Sequence, residues 1–143
     1  MGDKGFPYPG LELDMKLKRI NPPRKFEVGF DNKFYMKDCA HIDLDPDEQV
    51  TFITQSGSEY DVARKSWGFY ATPSLNGRLQ KFKLRAVLVK NRMNQFFVML
   101  VEQGEEPDFQ AYVDNEPLSI VCWLDNTTDL ERLERKMNED PHG

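Results

Sequence analysis

The stretch from Lys65 to Leu79 holds one Trp, one Phe and one Tyr beside two Gly, a Pro, an Asn and an Arg. Aromatic faces next to amide, hydroxyl and guanidinium groups suit a sugar, a base or another flat ligand, and glycines let the backbone come close. Cations follow at Arg78, Lys81, Lys83, Arg85, Lys90 and Arg92, with no acid before Glu102. Such groups hold phosphoryl oxygens. The residues expected to touch a ligand are therefore Trp67, Tyr70, Asn76, Arg78, Lys81, Lys83 and Arg85. The same residues also fit a second role. Trp67 and Phe69 could be core, Gly68 and Gly77 could serve turns, and the cations could be an internal clasp for the acidic C-terminal region.

Other chemistries find less support. Two histidines, His41 and His142, and two cysteines 83 positions apart, Cys39 and Cys122, cannot make a zinc site with Cys/His spacing. In an extended chain His41, Asp43 and Asp45 share a face that could offer oxygen ligands, yet the run lacks the Gly and distal Glu of a calcium loop. It is expected to be a solvated acidic turn. Cys39 and His41 would also share a strand face, as thiol activation requires, and such neighbours are common without chemistry. No nucleophile-elbow, zinc-protease, phosphate-loop or dinucleotide glycine pattern occurs. No catalytic residue, metal or cofactor is expected.

Charge is distributed unevenly. The formal net charge of −5 divides into 8 basic and 12 acidic side chains in residues 1–61, 8 and 0 in residues 62–101, and 3 and 12 in residues 102–143. A basic centre of +8 thus lies between flanks of −4 and −9. Single-stranded nucleic acid would use such cations with neighbouring rings, but an isoelectric point near 5.1 argues against it. Phe96 to Val101, six residues, is the longest apolar run and far short of the roughly 20 a membrane helix needs. The first twenty residues lack the apolar segment of a secretory signal, and Phe6 stands where a myristoylation signal needs Ser or Thr. With two unpatterned cysteines, a reducing, cytoplasmic location is the expectation.

The elements that must position these residues are mainly strands. Residues 1–24, with Pro7, Pro9, Pro22 and Pro23, read as an N-terminal arm strapped on through Phe6, Tyr8, Leu11 and Leu13. A single β-rich domain over 25–140 follows. Phe26 and Val28 alternate with charged neighbours, Phe30 to Lys33 turns the chain, and Phe34 to Ile42 is a second strand ended by Asp45-Pro46-Asp47-Glu48. Val50–Thr54 and Glu59–Arg64 flank a Gln55-Ser56-Gly57-Ser58 turn, a hairpin signature. Trp67 to Ala71 is extended, and Ser74 to Gly77 is a loop. Residues 79–89 are expected to form a strand, with Lys81, Lys83 and Arg85 on one face and burial on both faces near Val87 and Val89. Asn91 to Asn94 turns it into a strand over 95–102.

Pro107 opens a helix with Phe109, Tyr112 and Val113 on one side. Leu118 to Leu124 fits a strand or a helix. Thr128-Asp129-Leu130-Glu131 has capping-box spacing and opens a helix striped by Leu130, Leu133 and Met137. Hairpins dominate and no βαβ pattern appears, so the expected class is β-dominated α+β. An antiparallel curved sheet or small barrel of six to eight strands, with one or two C-terminal helices, is expected.

Three functions fit. The first is a non-catalytic binding module for a phosphorylated, otherwise anionic or sugar-like small molecule. The alternative is a protein-interaction or self-assembly domain, with a protein partner or a homo-oligomer governed by the charge asymmetry. Third come single-stranded nucleic-acid binding and an enzyme without a recognisable motif.

Overall fold

The computed structural model describes residues 16–29 and 33–139. The arm contacts expected of Phe6, Tyr8, Leu11 and Leu13, and the turn at Phe30 to Asn32, lie outside these residues. Eight strands and three helices follow in the order β1 (Leu17–Val28), β2 (Phe34–Ile42), β3 (Gln49–Ile53), β4 (Glu59–Lys65), β5 (Gly68–Ala71), α1 (Arg78–Lys81), β6 (Leu84–Lys90), β7 (Phe96–Glu102), α2 (Glu106–Asn115), β8 (Ser119–Trp123) and α3 (Thr127–Glu139). The protein is β-dominated, as expected. The strands do not form one curved sheet, and no closed barrel is found among the described residues. They make three small antiparallel sheets, β1-β2, β3-β4-β5 and β7-β6-β8. Two non-strand segments divide them: the Asp43–Glu48 turn, and the Thr72–Lys83 loop and helix.

Three local features differ from expectation for identifiable reasons. Strand β1 begins at Leu17, so residues 17–24 are sheet rather than arm. Its ladder slips between Arg19 and Arg24, and Pro22 and Pro23, which have no N–H to donate, fall in that slip. Residues 78–81 are helical rather than the start of a strand. The Ser74 hydroxyl accepts the Arg78 N–H at 3.0 Å, and the Phe82 N–H reaches the carbonyls of Arg78 and Leu79. Leu79 and Phe82 are three apart, a spacing that a strand cannot keep on one face but a helical turn can. Lys83 then takes a positive φ of 68° to enter β6. Finally, α3 is capped by Asn126, whose Oδ1 accepts the Asp129 N–H at 3.0 Å, and not by Thr128.

The core lies on the two faces of β6. Leu79, Leu84 and Ala86 are buried with Tyr60, Leu100 and Leu124 against them. On the other face Val87, Val89 and Val101 pack with Phe109, Leu118, Ile120 and Trp123. Burial of β6 on both sides, expected from Val87 and Val89, follows from its central place in the sheet. Segment 118–124 resolves as strand β8, antiparallel to β6 with a bulge between Leu88 and Val89. The hairpin turns behave as their residues require. Gly57 has φ 99° between β3 and β4, and Asn94 has φ 63° between β6 and β7, where Asn91 Oδ1 accepts the N–H groups of Met93 and Gln95. No helix among the described residues is long and apolar enough to cross a membrane.

Candidate ligand-binding site

The turn from β4 to β5 places two aromatic rings in solvent. Gly68, at φ 146°, lets the chain reverse immediately after Trp67, a backbone angle that a side chain would strain. Trp67 and Tyr70 then stack with centroids 6.1 Å apart and planes 27° from parallel. They are 70% and 47% exposed, so the stack is no part of the core. On the other side of the strand Phe69 lies under the Arg64 guanidinium, 5.6 Å from its ring centre. Lys65, two residues before the tryptophan, is held by Asp47 at 2.6 Å, which raises its pKa from the ordinary lysine value.

Strand register carries the site from these rings to a cation. Tyr70 lies opposite Ala63, and one pleat further the Thr72 N–H donates to the Asp61 carbonyl. Tyr70 and Thr72 therefore project on the same side of the sheet, as do Ala63 and Asp61. The Asp61 side chain is largely buried and accepts the Thr51 hydroxyl at 2.6 Å and Arg78 Nη2 at 3.0 Å. Arg78 Nη2 also donates to Thr72 Oγ1 at 2.8 Å, and the guanidinium sits 5.3 Å from the Phe82 ring centre. One nitrogen thus anchors Arg78 while its remaining N–H groups make no hydrogen bond among the described residues. Its half-exposed side chain thus meets Thr72, two residues along the chain from Tyr70.

The other expected ligand residues are placed elsewhere. Arg85 Nε donates to Asp125 Oδ2 at 2.6 Å, and Nη1 approaches Glu106 Oε2 at 3.4 Å. Its guanidinium also lies 4.0 Å from the Trp123 ring centre. Asn76 Nδ2 donates to Thr127 Oγ1 at 3.0 Å, and Gln80 Nε2 to the Asp125 carbonyl at 2.9 Å. Together these side chains fasten the β8–α3 connection. Lys81 is exposed on α1, and Lys83 sits beside the Gly57 turn, where its charge acts on Glu102. The common face expected of Lys81, Lys83 and Arg85 does not form, because the helical turn and the positive φ of Lys83 interrupt the alternation. The clasp uses Asp125 and Glu106, not the acids of α3.

Two features had no clear signal in the sequence. Asp61 is one of six acids in residues 43–61, and only its place opposite Thr51 and Thr72 marks it as the anchor of Arg78. Glu102 collects three hydroxyls on one oxygen: Thr54 at 2.8 Å, Ser58 at 2.7 Å, and Ser56. These bonds hold its carboxyl below the usual glutamate range and fix the β3–β4 turn to the end of β7.

The remaining candidates stay unassembled. His41 pairs with Asp38 at 3.2 Å rather than with Cys39, whose thiol is directed at the Lys37 carbonyl. Asp45 and Glu48 bind the Lys16 ammonium. No group of three His, Cys, Asp or Glu side chains that could hold a metal occurs among the described residues. Comparison of the chain with protein-family models, characterised proteins and solved structures found no match.

Proposed function

We propose that this chain is a non-catalytic binding module for a cyclic or flat small molecule bearing hydroxyl or phosphoryl groups, held at Trp67, Tyr70 and Arg78. The observation that carries this function is the exposed Trp67–Tyr70 stack, with Tyr70 on the same side of the sheet as Thr72, which with Asp61 fixes the Arg78 guanidinium. Rings left in water add little to stability and are open to contact, and stacking on them needs only a flat or C–H-rich ligand face. Arg78 is oriented before a ligand arrives, so little side-chain entropy is lost when its free N–H groups meet oxygen acceptors. The guanidinium edge turned away from Asp61 offers donors that suit the oxygens of vicinal hydroxyls. The free edge of the fork suits a phosphoryl group.

Thermal melting against a panel of sugars, sugar phosphates and nucleotides tests this function. At least one class should raise the melting temperature of the wild type and have no effect on Arg78→Ala. A panel with no effect on the wild type would refute the proposal.

A further inference from the structure

We propose that a second copy of this chain packs on the face formed by Phe96, Val98, Leu88 and Cys122 together with the apolar stripe of α3. The register makes that face continuous. Leu88 of β6 lies opposite Val98 of β7 on one side and Cys122 of β8 on the other, so three apolar side chains cross the sheet in a row. Phe96 extends the row along β7. Cys122 in turn lines an open groove of about 440 Å³ shared with Leu124 of the β8–α3 connection and Leu130 and Leu133 of α3.

Much of the rest of this sheet is covered. Its opposite face packs around Val87, Val89 and Val101, with Phe97 of that face and Val121 of β8 exposed, and the near end of the same face packs around Leu79, Leu84 and Ala86. The far end is the barest part, with Phe96 and Val98 more than half exposed. Helix α3, whose leucines and Met137 line up on one side, buries no residue.

Area and charge point to a copy of the same chain as the occupant. Phe96, Val98, Leu133 and Met137 are 48–67% exposed. They leave on the order of 500 Å² to solvent, more than half of the roughly 800 Å² each partner gives to a standard interface. No charged side chain occurs from Gln95 to Val101. About a two-fold axis identical residues meet, and the uncharged β7 part of the seam sets no like charges against each other, while Asp129, Arg132 and Lys136 bring both signs to the groove. The rim carries both signs, with Lys90 beside the Phe96 ring and Glu131 and Glu134 exposed on α3. Because α3 itself carries four acids and three bases, a two-fold can set charges of opposite sign against each other at the rim.

Sedimentation of the full chain over roughly 1–200 µM, the range where interfaces of modest quality associate, tests this. The expected result is a species of twice 16.7 kDa at the upper end. Val98→Lys and Leu133→Lys should each weaken association at least about 30-fold, while Trp67→Ala, on the other sheet, stays dimeric. Far-UV circular dichroism checks the fold of each variant. Should Val98→Lys unfold, Leu133→Lys decides alone, since its helix buries nothing. A 16.7 kDa monomer throughout, or a dimer indifferent to the folded variants, would overturn the proposal.

Discussion

Arg85 gives the most direct test of whether the basic centre also acts as an internal clasp. It binds Asp125 and Glu106 and lies over Trp123, so it joins β6 to both C-terminal elements. Removing one partner of a fully buried pair costs about 3–5 kcal/mol, because the other charge is left unpaired. Here Asp125 is 12% exposed but Arg85 is 29% exposed, and solvent screening reduces that figure to about 1–2 kcal/mol. The close contact with Trp123 adds about 1 kcal/mol. Arg85→Ala should therefore lower unfolding stability by about 2–3 kcal/mol, and the melting temperature by roughly 6–12 °C for a chain this long. Urea unfolding with an unchanged slope is the assay, and a double-mutant cycle with Asp125→Asn isolates the pair at about 1 kcal/mol or more. Arg85→Lys keeps the charge but loses the fork and should recover only part of the loss. A change below about 0.5 kcal/mol for Arg85→Ala, the level of an ordinary surface substitution, would refute the clasp.

Other outcomes follow from the same geometry. The carboxyl of Glu102 titrates below its ordinary value when folded, so its hydroxyl contacts stabilise the fold at neutral pH. That contribution falls away as pH drops from the ordinary glutamate range through the lowered value. Acid unfolding of Glu102→Gln should accordingly depend less on pH in that window than wild type, and identical profiles would contradict the role given to the carboxylate. Asn126→Ala removes the cap of α3 and should cost about 1 kcal/mol, visible as lost helical signal at 222 nm. Thr128→Ala, by contrast, should have little effect. Trp67→Ala should abolish ligand-induced stabilisation while moving the unligated melting temperature little, since the ring lies mostly in water.

Much of the strand grammar was legible in the residues. Phe34–Ile42 coincides with β2, and the Gln55–Ser58 and Asn91–Asn94 turns form where Gly57 and Asn94 accept positive φ. The helix at Pro107 and the two-sided burial of Val87 and Val89 also followed from local pattern. Tertiary context decided the rest. The helical turn at Arg78 depends on a hydroxyl four residues earlier, and the Leu79–Phe82 spacing already broke the alternation expected of a strand. Whether 118–124 was strand or helix rested on a partner, β6, distant in sequence. The division into three sheets depends on which strands pair, information that no single segment carries.

The candidate site could be nominated from composition but not assembled from it. Trp67 and Tyr70 could be picked out by type, and Arg78 by its place after the loop. That Asp61 and Thr72 orient Arg78, while Arg85 and Asn76 turn to the C-terminal segment, required the register of β4 with β5 and the position of the β8–α3 connection. The basic centre is thus divided, with Arg85 engaged by Asp125 and Glu106 and Arg78 paired with Asp61 but half-exposed. A charge count alone could not separate them.

The central claim is that Trp67, Tyr70 and Arg78 together bind a small cyclic ligand. Isothermal titration of wild type, Trp67→Ala and Arg78→Ala with the sugar phosphate or nucleotide most effective in melting measures this directly. Saturable binding to one site per chain is predicted, weakened at least about tenfold in each variant, as expected for loss of a stacking ring or a charge-assisted pair. Equal affinity in all three proteins, or no heat of binding to wild type, would contradict it.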